Sequence, residues 1–351
     1  MQNKINITFE KDALRRLAPL LQLKSYSSLF VLVDENTKKH CLPLFFEQTG
    51  LNEAIVLSIP PGEEHKHLTT CETVWNQLSE EGADRNSALI NLGGGVVTDL
   101  GGFVACTFKR GIDFYNIPTT LLAMVDASVG GKTGIDLGAL KNQIGIIEEP
   151  KQVIIHPQWL ATLPQKELRS GFADMRKDGL IADATYWSKL RQLQKLDAEV
   201  LSAFIAPSVA IKKEVVLQDP REKSLRKILN FGHTLGHAIE SYFLTHSQKK
   251  RLLHGEAIAV GMVLEAYLSS VCCGLSSLEA EEIKRVFAYF FPKVDIEKED
   301  QMGILALLRH DKKNSAGRIN FVLLNAIGSP KIDIVVSEEH FTKAFEFYSK
   351  D

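Results

Sequence analysis

The sequence predicts an α/β fold in two parts, a Rossmann-like parallel-sheet domain followed by a mostly α-helical domain. Short β-rich segments alternate with helical segments over the first 150 residues, and this order is typical of a parallel sheet. A glycine-rich turn follows one of these strands, at the edge of the sheet where such folds bind ligands. After about residue 155 the pattern changes to long amphipathic helices.

Three segments of the first part are predicted to be buried strands that end in turns: SSLFVLVDEN (27–36), AIVLSIPPGEE (54–64) and SALINLGGG (87–95). Helices are predicted over Thr69–Leu78 and directly after Gly95. Four long helical patterns follow in the second part: Lys166–Ala184, Ala198–Leu217, Lys227–Leu244 and Gly255–Val271. We therefore expect two domains, 1–155 and 156–351, which also suits a chain of 351 residues.

Composition excludes several classes of partner. A net charge of −2 gives no reason to expect nucleic acid, and no uninterrupted apolar run approaches the roughly 18–20 residues that cross a bilayer. The N-terminus has no apolar signal core. Five cysteines form no CxxC pair, and their odd number fits poorly with a disulfide framework. These features predict a cytoplasmic protein with reduced thiols.

The glycine-rich turn runs Leu92-Gly93-Gly94-Gly95-Val96-Val97-Thr98-Asp99, between a strand and a helix. Glycines let the backbone approach a pyrophosphate, and the helix N-terminus supplies oriented N–H groups. Thr98 occupies the place of the third glycine of a GxGxxG pattern, so this turn alone fits a ligand-free connection equally well. Two further polar strand ends, Asp34-Glu35-Asn36 and Pro60–Glu63 with Lys66, favour a dinucleotide site.

The segment 118–145 is rich in glycine and polar residues and follows Lys109 and Arg110. It brings Asp126, Lys132, Lys141 and Asn142 close together in sequence. Cations beside glycine turns suit a phosphate or carboxylate, because charge-assisted hydrogen bonds are strong. A solvated basic loop is the alternative, and the flanking glycine pair argues against it.

A metal site is predicted in the second part. His233 and His237 are spaced i and i+4 on one helix face, His254 begins a later helix, and Asp174 follows a turn of small residues. Three such ligands with one open position are what a catalytic zinc requires. From spacing alone, His233 and His237 would be the paired ligands.

Taken together, these segments resemble the 3-dehydroquinate synthase family over nearly the whole chain. The motifs that carry the resemblance are PPGEEHK, GGGVVTDLGGFVA, KRG, PTTLLAMVDASVGGKTG, LKNQIG, SGFAD, DPREKSLRKILNFGHTLGHA, HGEAIAVGM and the DKK at 311–313. The resemblance implies an enzyme of the shikimate pathway, a homodimer, that converts 3-deoxy-D-arabino-heptulosonate 7-phosphate to 3-dehydroquinate and phosphate. It implies two cofactors, NAD and a divalent metal, zinc or cobalt.

The resemblance also implies a role for individual residues. The metal ligands would be Asp174, His233 and His254, and His237 would lie near the substrate phosphate instead. The other phosphate contacts would be Lys132, Asn142, Asn230, Lys312 or Lys313, and Arg110 from the partner subunit. The hydroxyls and carboxylate of the substrate would contact Asp126, Lys177, Lys212 and Arg226. The residues implied for NAD are Asp34, Glu63, Lys66, Gly94, Gly95, Asp99, Thr119, Thr120, Lys132, Lys141 and Thr162.

The mechanism that the resemblance implies makes NAD a recycled catalyst. An alcohol on the metal is oxidised transiently, phosphate is eliminated, the ketone is reduced again, and the opened ring closes by an aldol step. The oxygens of the substrate phosphate would help to remove the proton in the elimination, since no side-chain base is evident. A cleft that excludes water and orients the substrate would suit this chemistry.

The chain departs from the family pattern at one point, the run Asp174-Met175-Arg176-Lys177-Asp178. The family has glutamate in place of Asp174, then an apolar pair and lysine. Aspartate is one methylene shorter, and metal–oxygen bonds of about 2.0–2.2 Å tolerate little retreat. We expect weaker or altered metal binding, unless the helix shifts to compensate. Asp178 at i+4 would repel Asp174 unless a metal or Lys177 lies between them.

Three alternatives keep part of this interpretation. A related sugar-phosphate cyclase would make a deoxyinosose or a valiolone with the same fold. A polyol, glycerol-phosphate or iron-dependent alcohol dehydrogenase would accumulate NADH, whereas the cyclase would not. A metal-binding regulatory or scaffold protein would bind both cofactors without turnover.

Overall fold

The computed structural model describes residues 5–9, 12–138, 140–308 and 319–350. The chain divides into two compact units. The first extends to Pro164 and also contains Asp197–Val209, and the second consists of Gln165–Leu196 and the chain from Ala210 onward. The boundary thus falls slightly after the expected residue 155, and one later helix begins in the first unit and ends in the second.

The first unit is built on a parallel sheet of six strands in the order β1-β8-β5-β4-β2-β3. A separate antiparallel hairpin pairs β6 with β7. The strands are β1 (Ile7–Thr8), β2 (Leu29–Asp34), β3 (Ile55–Ile59), β4 (Ala88–Gly93), β5 (Asp113–Pro118), β6 (Lys132–Leu137), β7 (Leu140–Ile147) and β8 (Gln152–Ile154). The prediction of a parallel sheet is confirmed.

Helices connect these strands and are α1 (Leu17–Lys24), α2 (Glu35–His40), α3 (Leu42–Thr49), α4 (Leu68–Glu80) and α5 (Gly95–Thr107). All six residues of β4 are buried, as expected for a central parallel strand covered on both faces. Its neighbour β5 ends at Pro118, which pairs with Gly93, the last residue of β4. The two strands therefore end at the same edge of the sheet. Side chains of α5, including Val97 and Val104, pack in the core.

Helices dominate the second unit, as predicted. They are α6 (Gln165–Ala182), α7 (Ala184–Leu190), α8 (Ala198–Gln218, shared with the first unit), α9 (His233–Thr245), α10 (His254–Cys272), α11 (Ser277–Phe290), α12 (Lys298–Leu308) and α13 (Glu339–Ser349). An antiparallel hairpin of β9 (Asn320–Ala326) and β10 (Ser329–Val335) was not predicted. The predicted start of one helix at Lys227 is wrong. Leu225–Asn230 is a 3₁₀ turn, and Gly232 in the left-handed region (φ 77°) separates it from α9.

Helix α10 forms the centre of the second unit, where its side chains pack against α9 and the hairpin. By length and composition it is apolar enough to cross a membrane, but 72% of the relevant stretch is buried inside the protein. That burial is typical of a core helix. The stretch is interrupted by Glu256 and Glu265, in keeping with the expectation that no uninterrupted apolar run is long enough.

Candidate active site

Three histidines converge in the second unit. His233 and His237 lie on consecutive turns of α9, and His254 is the first residue of α10. Their ring centroids are 5.2–5.7 Å apart, and one ring nitrogen of each lies within 4.8 Å of the others. The cluster contains both the His233–His237 pair that spacing selects and His254, which the resemblance implies. Proximity alone therefore does not decide which two of the three histidines are metal ligands.

Hydrogen bonds orient two of these rings. His233 Nδ1 lies 3.0 Å from the carbonyl oxygen of Phe231, and His254 Nδ1 lies 3.1 Å from Glu240 Oε2. Both partners are acceptors, so Nδ1 carries the proton and Nε2 is left as the electron-pair donor. This is the arrangement of metal-bound histidines, whose second nitrogen is held by a carboxylate or a carbonyl. The pattern favours His233 and His254 as metal ligands.

Asp174 lies beside these histidines on α6 and is 1% exposed. Its Oδ1 accepts a hydrogen bond from Lys177 Nζ at 2.8 Å and lies 3.7 Å from His233 Nε2. Its buried Oδ2 accepts no hydrogen bond from the residues that the structure describes. A buried carboxylate oxygen without a donor is costly, and a cation bound by this carboxylate would offset that cost. The chemistry of Asp174, His233 and His254 therefore suits a divalent metal. Among the described residues, the group whose ligand atoms all lie within 4.8 Å of one another is His233, His237 and His254.

A glycine brings the two helices of this site together. Gly255 N donates to Ser170 Oγ at 2.9 Å, and a Cβ at Gly255 would overlap the Ser170 backbone. Because Gly255 follows His254, this contact holds α10 against the helix that carries Asp174. The small residues of SGFAD and HGE are thus explained by close helix packing.

Arg176, a departure from the family pattern, points into an aromatic cluster. Its guanidinium lies 4.4–5.2 Å from the ring centroids of Phe172, Phe287 and Phe290, and donates to the Val286 carbonyl at 2.8 Å. Burial lowers its pKa to about 9. The aromatic faces partly compensate the desolvated charge. Asp178, the other departure, is also buried on α6.

The remaining substrate residues predicted in this unit are Lys212, Arg226, Asn230 and His237, and all are buried or half-buried. Arg226 Nη1 donates to the Pro220 carbonyl at 2.7 Å, and Asn230 Nδ2 donates to Glu222 at 2.7 Å. Asp219 organises this loop by accepting backbone N–H bonds from Lys223, Ser224 and Arg226. Although burial raises the pKa of Asp219, these bonds outweigh it and the net pKa is lowered.

In the first unit, the predicted glycine turn lies at the end of β4. Gly94 is the N-cap of α5 and Gly95 its first residue, and no side chain caps this helix. A Cβ at Gly94 would come within 2.9 Å of Thr120 Cγ2. Thr119, which follows β5, is buried and its N–H donates to the Gly93 carbonyl at 2.9 Å. Bare helix N–H groups at a strand end are suited to an anion such as a pyrophosphate.

A charged network lies near this turn. Lys66 Nζ, which is buried, donates to Asp99 Oδ2 and Asn142 Oδ1 at 2.6 Å each, and Lys141 pairs with Glu63 at 2.9 Å. Burial raises the pKa of the Asp99 carboxyl. For Lys66, burial lowers the pKa, but Asp99 and Glu63 more than offset it and the net pKa is raised. Five of the residues predicted for NAD or substrate are thus brought together.

Other predicted residues are less tightly grouped. Asp34 caps α2 through Thr37 N at 2.7 Å, Thr162 is exposed and donates to the Trp159 carbonyl, and Asp126 is half-buried. Lys132 is exposed, as is Arg110, which has a left-handed backbone (φ 71°). Lys312 and Lys313 lie outside the described residues. The predicted substrate contacts are therefore divided between the two units.

Three carboxylates were missed by the sequence interpretation. Glu240 holds His254, Glu265 accepts N–H bonds at the start of α9, and Asp136 accepts the Asn142 N–H at 2.7 Å. Two of them had a signal in the sequence. Glu240 is seven residues after His233, on the same helix face, and Glu265 is a charge within a long apolar run.

The fold and the two groups of residues define a class of protein. An α/β unit has a glycine turn at the ends of its parallel strands, and a helical unit has a candidate metal site of histidines and a carboxylate. Enzymes that combine a dinucleotide with a metal use such parts.

Comparison with known proteins gives the family. The 3-dehydroquinate synthase N-terminal and C-terminal regions match residues 56–170 and 171–314. A 3-dehydroquinate synthase of Parabacteroides distasonis is 40% identical over 340 residues, 96% of each chain. The chain belongs to the 3-dehydroquinate synthase family.

Two solved structures share the fold. A 2-deoxy-scyllo-inosose synthase complexed with carbaglucose-6-phosphate, NAD+ and Co2+ has a TM-score of 0.84 at 24% identity, covering 97% of this chain and 95% of that one. A 2-epi-5-epi-valiolone synthase from Streptomyces hygroscopicus, with NAD+ and Zn2+ bound, has a TM-score of 0.80 at 23% identity, covering 99% and 98%. These likenesses confirm the predicted two-part architecture.

Proposed function

We propose that the protein is a metal- and NAD-dependent 3-dehydroquinate synthase that converts 3-deoxy-D-arabino-heptulosonate 7-phosphate to 3-dehydroquinate and phosphate. The observation that carries this proposal is the cluster of His233, His237 and His254, with Asp174 Oδ1 3.7 Å from His233 Nε2, in a chain that is 40% identical to a named synthase. The reaction class would be a phosphorus–oxygen lyase.

Asp174, His233 and His254 would hold the divalent metal, zinc or cobalt. The two imidazoles present Nε2 because their Nδ1 protons are already donated to Phe231 and Glu240. The metal would supply Lewis acidity to a substrate alcohol, and NAD would supply reversible hydride acceptance. Lys177, 2.8 Å from Asp174 Oδ1, places a second cation beside the same carboxylate. The Lys177 charge would favour loss of the proton from a substrate hydroxyl held beside it.

The nucleotide would bind at the glycine turn of the first unit. Gly94 and Gly95 leave the first N–H groups of α5 accessible to a pyrophosphate. Thr119 and Thr120 continue this polar edge, and Asp34 and Thr162 would contact the rest of the nucleotide. Lys66 and Asp99 would place a fixed ion pair beside it. Because NAD is regenerated in each turnover, it would act catalytically and remain bound.

The substrate phosphate is a dianion and would require cations and neutral donors. His237, Asn230 and the DKK lysines would serve this role, and the resemblance gives the same role to Lys132 and Asn142. Lys212 and Arg226 would hold the substrate carboxylate, and Asp126 a hydroxyl. Arg110 would reach the phosphate from the partner subunit of a homodimer. We place this enzyme in the cytoplasm.

Phosphate release from the heptulosonate phosphate tests the proposal. We expect release that requires NAD and metal, stops with a chelator and resumes on adding Co2+ or Zn2+, with no NADH accumulating at 340 nm. Release from glucose 6-phosphate instead would identify an inosose-type cyclase. Stoichiometric NADH would identify a dehydrogenase. Binding of both cofactors without turnover of either substrate would identify a protein that has lost catalysis.

A further inference from the structure

A carboxylate lies in the interior of the most apolar helix of the second unit. Glu265 is 0% exposed and sits in the middle of α10, among side chains such as Leu264 and Leu268. A buried carboxylate without partners is strongly destabilising in a protein interior. Its presence therefore requires strong donors within reach.

The donors belong to the first turn of α9. Glu265 Oε2 accepts the Gly232 N–H at 2.6 Å, and Oε1 accepts the Leu235 N–H at 3.1 Å. Gly232, the N-cap of this helix, has no side chain to satisfy these groups. Glu265 thus caps α9 from a neighbouring helix, and the positive end of the helix dipole favours its charge.

One of these N–H groups belongs to a peptide that also holds a metal-site histidine. The N–H of Gly232 and the carbonyl of Phe231 are the two ends of a single trans peptide. That carbonyl accepts the Nδ1–H of His233 at 3.0 Å. The series of bonds therefore runs from the Glu265 carboxylate, through the peptide, to the imidazole of His233.

We propose that Glu265 is a positioning residue of the metal site and acts on His233 through the Phe231–Gly232 peptide. Metal-bound histidines commonly donate Nδ1–H directly to a carboxylate, as His254 does to Glu240 in this chain. For His233, the Phe231–Gly232 peptide lies between the imidazole and the Glu265 carboxylate. The carboxylate polarises the peptide, its carbonyl becomes a stronger acceptor, and Nε2 becomes a better electron-pair donor. The idea rests on the metal site of the proposed function.

Close packing of α9 and α10 makes this connection possible. A Cβ at Gly261 would overlap the Gly232 carbonyl, and a Cβ at Gly232 would overlap the Met262 side chain. Glu265 is one helical turn beyond Gly261, on the same face of α10. The two glycines therefore let the short carboxylate arm reach the peptide that precedes His233.

Co2+ binding by the full chain tests the proposal. We would compare the wild type with Glu265→Gln and Glu265→Ala, using the visible absorption of Co2+ for the dissociation constant and urea unfolding for stability. Glu282→Gln is the matched control, because it also removes a carboxylate in the second unit but one that pairs with Arg191 and Trp187. We expect the dissociation constant to rise about 10-fold for Gln and about 10- to 100-fold for Ala, with the control unchanged.

A merely structural role would give another result. Both Glu265 variants would then unfold more easily, while the folded protein kept the wild-type Co2+ affinity, and this outcome would overturn the proposal. Should neither variant fold, 15N NMR of histidine-labelled, metal-free wild type decides: we expect His233 as the Nδ1–H tautomer, and the Nε2–H tautomer would refute it. If the wild type binds no Co2+, the proposed metal site is wrong. The tautomer of His233 would still test the series of hydrogen bonds from Glu265 to His233.

Discussion

The reach of Asp174 can be measured by lengthening its side chain and by removing it. Neighbouring ligand atoms in a tetrahedral site with bonds of about 2.0–2.2 Å lie about 3.3–3.6 Å apart. Asp174 Oδ1 is 3.7 Å from His233 Nε2, so its separation from this one histidine exceeds that range by only a few tenths of an ångström. We therefore expect Asp174→Glu to change the Co2+ dissociation constant by less than about tenfold.

Removing the carboxylate should have a larger effect. A structural zinc site with four ligands contributes about 10–16 kcal/mol of binding free energy, or about 3 kcal/mol for each ligand. Asp174→Ala should therefore weaken Co2+ binding about 100-fold. It also removes the carboxylate that accepts a hydrogen bond from the buried Lys177, so we would measure unfolding in parallel.

Equilibrium titration of apo protein with Co2+, in competition with a chelator of known affinity, gives both constants. Glu282→Gln is again the control. A Glu variant that binds more than about tenfold tighter than wild type would refute the geometric reasoning and support the weaker binding that the sequence predicts. An Ala variant with wild-type affinity would show that Asp174 is not a ligand.

Three further predictions concern the second unit. Asp219→Asn should lower the unfolding free energy by about 1–2 kcal/mol at pH 7. The folded protein lowers the pKa of Asp219 below 3.8, so this stability is present above pH 3.8 and is lost as the pH falls through the lowered pKa. Urea unfolding from pH 7 to pH 3 should therefore show a shrinking difference in unfolding free energy between wild type and variant. Gly255→Ala should cost about 1–3 kcal/mol and weaken Co2+ binding, since the methyl group would force α10 away from Ser170; wild-type values of both would contradict this. Arg176→Met should leave the unfolding free energy within about 1 kcal/mol of wild type. The apolar side chain of similar length loses the cation–ring contacts but also removes the desolvated charge. A decrease in unfolding free energy of more than about 2 kcal/mol, measured in urea, would disprove this prediction.

Residue patterns predict the sheet well because burial leaves a direct signal. The β4 segment, Ala88–Gly93, has no exposed side chain, and a short apolar run before glycines is typical of a central strand. The start of α9 could not be predicted in the same way. Residues from Lys227 onward have helical periodicity, but the left-handed Gly232 ends one turn and begins another helix. The hairpin of β9 and β10 was missed because its outer strand alternates exposed and half-buried residues.

The metal ligands show a similar limit. Spacing selects His233 and His237, since i and i+4 residues share a helix face, and the structure does bring both rings into one cluster. Spacing carries no information on which ring nitrogen is held. That depends on Phe231 and Glu240, which lie at Nδ1 of His233 and His254 and leave their Nε2 atoms for the proposed metal.

The choice of ligands therefore depends on packing between helices more than on the histidines themselves. Gly255 holds the start of α10, where His254 lies, against α6, which carries Asp174. Gly232 and Gly261 allow α9 and α10 to cross closely, so Glu265 reaches the peptide that holds His233. A motif that lists only ligands omits these contacts. Loss of any one of them should weaken metal binding while every ligand is still present.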